Sequence, residues 1–187
     1  NLASAYESAG RTDEAITLHE QALTDSIRIL GEDHPHTLIA RNNLASAYES
    51  AGRTDEAITL YEQVLTDRRR VLGKDHPATL TSFHNLAGVY ESVGRTDEAI
   101  TLYEQVVTDR SRILGENHPQ TLASRNNLAY TYLLMGRTDD AVSHIEQTLI
   151  RSTRALGEEH PLTVSARKNL EVALHVLKQR KDDVPTD

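Results

Sequence analysis

The stretch NLASAYESAGRTDEAITL fills residues 1 to 18 and returns unchanged as residues 43 to 60, and the 42-residue register it sets holds to the C-terminus. Asn-Leu recurs at Asn1-Leu2, Asn43-Leu44, Asn85-Leu86, Asn127-Leu128 and Asn169-Leu170. Gly-Arg-Thr-Asp recurs from Gly10, Gly52, Gly94 and Gly136, and His-Pro from His34, His76, His118 and His160. A fixed period of this size implies stacked supersecondary units sharing one continuous core, so function is expected on the stacked surface and not in a single pocket.

Within one period the punctuation predicts two helices. After Gly52, Thr54 is expected to cap a helix whose first turn carries Asp55 and Glu56 at the positive end of the macrodipole, and which runs to Leu72 before a left-handed cap at Gly73. Ala57, Leu60, Tyr61 and Val64 form one apolar stripe and Ile58, Leu65 and Leu72 a second, so this helix expects two packing partners. The next helix is expected to open at Asp75-His76-Pro77 with an acidic cap and a first-turn proline, to bury Leu80, Phe83, Leu86, Ala87 and Tyr90, and to end at Gly94. No alternating β-branched run competes. The fold class is therefore all-α.

The 187 residues carry a formal charge of -8 and no cysteine. The first property argues against a general phosphate-backbone binder and points to a basic partner if charge guides one; the second removes disulfides and thiolate metal sites. No apolar run approaches the length of a membrane span and no signal peptide opens the sequence, so it reads as soluble and cytoplasmic, with neither nucleic acid nor membrane as partner. The four His-Pro pairs sit at separate joints and cannot converge on one ion, and no nucleophile-base pair or phosphate loop stands out. Neither cofactor nor metal nor catalytic residue is expected. Arg28, Arg70 and Arg112 each follow an aspartate by three residues and read as solvated intrahelical pairs, whereas Arg154 has Arg151 in that place.

The spacing Leu44-Ala45-x-x-Tyr48, Gly52, Ala57, Tyr61 and Val64 resembles the tetratricopeptide repeat, and the long period with Asn-Asn-Leu-Ala and Leu-Gly-x-Asp-His-Pro resembles its kinesin light chain subclass. Near-identity of successive copies is more similar to bacterial multidomain arrays than to animal motor subunits. The resemblance implies a right-handed α-solenoid, a superhelix whose concave wall is made by the first helix of each pair, helix A, and which binds a peptide or protein segment. It divides the chain into a partial unit at 1–31, full units at 32–73, 74–115 and 116–157, a capping helix at 158–180 and a flexible tail at 181–187. Small residues at Ala45 and Ala57 would let the paired helices approach, with Tyr48 and Tyr61 filling the space around them. Lysine or arginine would complete a carboxylate clamp where this chain has Ile39, Thr81, Ala123 and Ser165, so tail-binding of that kind is not expected.

The same resemblance places Asn43, Asn85 and Asn127 where helix A holds a ligand backbone, and an amide can both donate and accept. Bonding between neighbouring helices is the other reading of that column. The fourth unit breaks the pattern: Tyr130 replaces Ser46 and Gly88, and Leu133 replaces Glu49 and Glu91. Tyr130 and Leu133 are expected to share a face with Asn126 and Asn127, near His84, Asn85 and, one unit earlier, Asn42, as a hot spot rimmed by amides unless Val172 and Val176 cover it. Glu7, Glu49 and Glu91 form an acidic column that favours basic ligand residues. Glu171, in place of Ala45, Ala87 and Ala129, suggests a helix that no partner helix follows. The expected function is an interaction module taking an extended segment with basic residues and a large hydrophobic anchor. The alternative is self-association, or a sensor arm of a larger bacterial regulator carrying an upstream NTPase or DNA-binding domain.

Overall fold

Two kinds of joint alternate along the chain, and they decide where each helix begins and ends. The computed structural model describes Ala3, Tyr6 and residues 10–182, with side chains to 180. Asn1, Ser4, Glu7 and the tail positions 183–187 lie outside the described residues. The elements are α1 Thr12–Leu30, α2 Pro35–Ser50, α3 Thr54–Leu72, α4 Pro77–Ser92, α5 Thr96–Leu114, α6 Pro119–Leu134, α7 Thr138–Leu156 and α8 Pro161–Asp182. No strand occurs among the described residues. The chain falls into two compact units, residues 1–93 holding α1 to α4 and residues 94–187 holding α5 to α8.

The tight joint centres on glycine. Gly52 (φ 72°) donates to the Glu49 carbonyl at 3.0 Å and Arg53 to the Tyr48 carbonyl at 2.9 Å, the paired bonds of a Schellman motif. The chain passes straight into α3, which corrects the expected threonine cap. Thr54 is already the first helical residue, its hydroxyl donates back to the Gly52 carbonyl at 3.3 Å, and Arg53 holds the cap position with no side-chain cap bond, its carbonyl accepting from the Ala57 N–H at 3.1 Å. Arg53 instead lies 4.3 Å over the Tyr48 ring and donates to Glu56 at 2.9 Å. Carboxylates at Asp55 and Glu56 meet the helix dipole in place of a cap.

The longer joint is built on Gly-x-x-His-Pro-x-Thr. Gly73 sits at φ 87°, ψ 161°, which is not the left-handed helical conformation expected but a region open essentially to glycine alone. The acidic cap at Asp75 is likewise corrected. His76, held extended by the proline after it, caps α4 itself, its Nδ1 accepting from the Ala78 N–H at 3.1 Å. His34, His118 and His160 do the same at their helices, at 3.2 Å each. Thr79, fully buried, donates to the Gly73 carbonyl at 2.8 Å and ties the start of α4 to the end of α3.

In residues 1–93, α2 packs between α1 and α3, and α3 packs on α4. Ala45 and Ala57 are completely buried, as the close approach of a helix pair requires, and Tyr61, Val64 and Leu80 are buried in the same unit. In residues 94–187, α5 packs on α6, α6 on α7 and α7 on α8, with Ala129 and Ala141 completely buried and Leu122, Leu128 and Ile145 alongside. Tyr90 and Tyr132 are core residues, while Tyr48 is half-buried.

Two arginines are buried as well, which hydrophobic periodicity does not reveal. Arg68 donates to the Ala78 carbonyl at 3.0 Å and to the Ser82 hydroxyl at 2.8 Å. Arg110 repeats the arrangement on the Gln120 carbonyl, 3.2 Å, and the Ser124 hydroxyl, 2.6 Å. Burial lowers the pKa of both guanidinium groups, yet arginine stays charged at any ordinary pH. Each therefore works as a multi-bond pin from one helix to the first two turns of the next.

Candidate functional site

The expected ligand face lies along helix A of each pair, that is α2, α4, α6 and α8. In the first unit Asn85 on α4 donates to Asn42 on α2 at 3.3 Å. Asn43 and His84, adjacent to them in sequence, are half-buried. Glu49 is exposed and accepts from the Tyr61 hydroxyl at 3.0 Å, so this acidic position also serves the hairpin. Burial first, then the Glu49 charge, pushes the Tyr61 pKa upward. Glu91 is half-buried.

In the second unit the same amide link recurs. Asn169 on α8 donates to Asn126 on α6 at 3.1 Å, and Asn126 donates to the Ser165 hydroxyl at a long 3.4 Å. Asn126 is only 6% exposed, so its amide is spent inside the contact between α6 and α8. Asn127 is half-buried. A second fastener, absent from any reading of apolar stripes, joins the tyrosine of helix A to a glutamate 28 residues earlier: Tyr48 to Glu20 at 2.8 Å, Tyr90 to Glu62 at 2.6 Å and Tyr132 to Glu104 at 2.6 Å. Burial, followed by the Glu104 hydrogen bond, pushes the Tyr132 pKa up to about 12.

The bonded pair Asn126 and Asn169 fixes the register of α6 against α8, and one turn further along lie Tyr130 on α6 and Val172 on α8. Tyr130 is 42% exposed and Val172 is 53% exposed, so the valine leaves the tyrosine open to solvent. Leu133 and Val176 are half-buried, while Leu134 and Met135 at the end of α6 are exposed. The result is an apolar strip on two neighbouring helices, set beside the bonded amides of Asn126 and Asn169. Glu171 is exposed, and Leu174, where the other units have Tyr48, Tyr90 and Tyr132, is exposed too. Among the described residues no three His, Asp or Glu side chains gather as a metal site needs, and no helix is long and apolar enough to cross a membrane.

The tetratricopeptide repeat family model matches residues 1–69, 52–109 and 84–149, which together span most of the chain. The chain belongs to the tetratricopeptide repeat family. Among solved structures, a Podosopora anserina protein described as a putative kinesin light chain of nearly identical TPR-like repeats is 35% identical over 97% of this chain and 86% of its own, with a TM-score of 0.84. A singly substituted form of that protein gives 35% identity, 97% and 85% coverage, and a TM-score of 0.85. BtubC (BKLC) from P. vanneervenii shares the fold at 20% identity and a TM-score of 0.72, over 100% of this chain and 81% of that one. No curated protein sequence matches. The chain is thus an all-α tandem of tetratricopeptide hairpins of the kinesin light chain-like kind, a class of protein-interaction scaffold.

Tetratricopeptide spacing accounts for Ala45, Tyr48, Ala57, Tyr61 and Val64, but not for the side chains that clip one hairpin to the next. The buried Arg68 and Arg110 are signalled in sequence only by their pairing with Ser82 and Ser124, 14 residues on. Arg70 pairs within its helix as expected, with Asp67 at 3.2 Å, but it also grips Asp33 of the preceding joint with both guanidinium nitrogens, Nη1 at 2.7 Å.

Proposed function

We propose that this chain binds an extended protein or peptide segment along its helix A face, with no chemistry of its own, and that the strip of Tyr130 and Val172 is its hydrophobic anchor point. The observation that carries this reading is the exposure of Tyr130 at 42%, where the corresponding positions of other repeats hold Ser46 and Gly88. An aromatic kept in water on a helix pair already locked by buried amides costs solvation without adding to the core, and such aromatics dominate binding energy when a partner covers them. The neighbouring Asn127 supports main-chain recognition, since an amide pairs with a peptide backbone whatever its side chains. On the first unit, Glu49 and Glu91 favour basic side chains in whatever segment lies there.

A library of extended peptides tests this directly. Peptides with a large apolar residue and basic flanks should be enriched, and Tyr130→Ala should weaken their capture by about tenfold or more, equivalent to about 1.4 kcal/mol. Its melting temperature should stay close to that of the parent, because the side chain is open to solvent. Capture indifferent to Tyr130→Ala would remove the anchor. Light scattering over a concentration series reads the competing arrangement: self-association lost in Tyr130→Ala would make the strip a contact between copies.

A further inference from the structure

Two clefts at equivalent places, each between the second helix of a hairpin and the joint before it, differ in charge. In the second repeat the cleft is lined by Glu32, Arg41, Glu62, Gln63, Thr66 and Asp67. Its arginines are satisfied internally: Arg41 pairs with Asp67, and Arg70 holds both Asp33 and Asp67. In the fourth repeat the cleft, about 290 Å³, is lined by Asn117, Gln147, Ile150, Arg151 and Arg154. Arg125 and Arg154 stand where Arg41 and Arg70 stood, but Asp33 has become Asn117 and Asp67 has become Arg151. Both arginines are kept and both of their carboxylates are gone.

The consequences are visible in the bonding. Glu116 supplies the negative charge that remains, 2.5 Å from Arg151 and 3.9 Å from Arg125. Arg125 is 13% exposed, donates to the Ser111 hydroxyl at 3.2 Å, and has a buried Nε with no hydrogen-bond partner. Arg151 donates to Asn117 at 3.4 Å, and Ile150 beside it is 61% exposed. Arg125 and Arg151 share the Glu116 carboxylate and Arg154 adds a third guanidinium to the cleft, on a chain whose net charge is -8.

We infer that the fourth-repeat cleft is a docking site for an acidic protein segment, which supplies in trans the two carboxylates that Asn117 and Arg151 no longer provide, with an apolar residue against Ile150. The second repeat is the template for the ligand, since Asp33 and Asp67 there show two carboxylates meeting the corresponding arginines in this same fold. A nucleic acid is disfavoured by the overall negative charge, whereas a short carboxylate-bearing segment needs only the local field. Its arginines come from α6 and α7, and neither Tyr130 nor the bonded pair Asn126 and Asn169 lines the cleft.

A dye-labelled peptide with two aspartates flanking a leucine, its asparagine counterpart, and its phosphoserine counterpart serve as probes for fluorescence anisotropy with the intact chain. The aspartate peptide should bind saturably, weaken with salt, and exceed the asparagine peptide by about tenfold or more, as charge-assisted bonds in a partly desolvated cleft imply. The double variant Asn117→Asp, Arg151→Asp restores the second-repeat pattern, so it should fold and melt like the parent while losing the peptide. Arg154→Gln, at an exposed position, should weaken binding severalfold, and Tyr130→Ala should leave it unchanged. Equal binding of the aspartate and asparagine peptides, or binding retained by the double variant, would overturn the site. A clear preference for the phosphoserine peptide would overturn the carboxylate assignment. Concentration-dependent dimers abolished by the double variant would overturn the partner in favour of a second copy.

Discussion

Asn126→Ala is the substitution that separates holding the array together from holding a ligand. Asn126 is 6% exposed, accepts from Asn169 at 3.1 Å and donates to Ser165 at 3.4 Å. Each such bond contributes about 0.5–1.5 kcal/mol net, and truncation also strands the amide of Asn169 inside the contact, so the loss should total about 2 kcal/mol. For a chain of this size that is a fall in melting temperature of about 4–8 °C, readable by circular dichroism. Asn169→Ala, at a half-buried position, should cost about 1 kcal/mol, and the double variant should fall short of additivity by about 1 kcal/mol because the two changes remove one shared bond. Additive effects in that cycle, or an Asn126→Ala variant that melts with the parent yet no longer captures peptide, would refute the structural role and return the amide to the ligand.

Three further outcomes test the fold and its electrostatics. His144, half-buried against the Tyr132 ring, has its pKa lowered first by burial and then by Arg125, with Asp140, Glu104 and Arg137 acting more weakly. The unfolded chain therefore takes up this proton first as pH falls through about 6.5, stability drops there, and His144→Leu, the residue of the other repeats, should flatten that part of a stability-versus-pH curve. Tyr132 keeps its proton to about 12 in the fold, so stability should fall as pH rises above about 10, and Tyr132→Phe should remove part of that loss and the ultraviolet titration step near 12. At Gly52 and Gly73 an added Cβ would meet nothing within 4 Å, so substitution costs only backbone strain, about 1–3 kcal/mol for alanine. Asparagine should relieve much of that cost at Gly52 and little at Gly73, as denaturant melts of the four variants would show.

The helices were legible because their signals are local and repeated. Apolar spacing from Ala57 to Val64, the glycines, and proline after histidine each act within a few residues, and four copies make chance agreement implausible. The caps were misread because Thr54 and Asp75 are good cap residues in general, while the joint geometry gave the work to a Schellman turn and to His76. The bonds between Tyr90 and Glu62, and between Asn85 and Asn42, lie 28 and 43 residues apart, beyond any local pattern. Periodicity put Asn126 beside Asn127 on one face, yet the first is buried and the second half-buried, a difference set by which side of α6 meets α8. Exposure of Tyr130 followed from its replacing small residues, whereas the charge reversal at Arg151 gained meaning only once Arg125 and Asn117 were seen beside it.

The cross-hairpin links have a bearing on how such a gene can change. Thr79 with Gly73, Arg68 with Ser82, Tyr90 with Glu62 and Asn85 with Asn42 all join positions within about one period of each other. Copying one period of coding sequence therefore copies both halves of every clasp, and deleting one removes both. Slippage during replication can lengthen or shorten the molecule by whole repeats without orphaning a buried polar group. A family of chains differing only in reach, each folded from its first generation, is then open to selection before any single side chain has been altered.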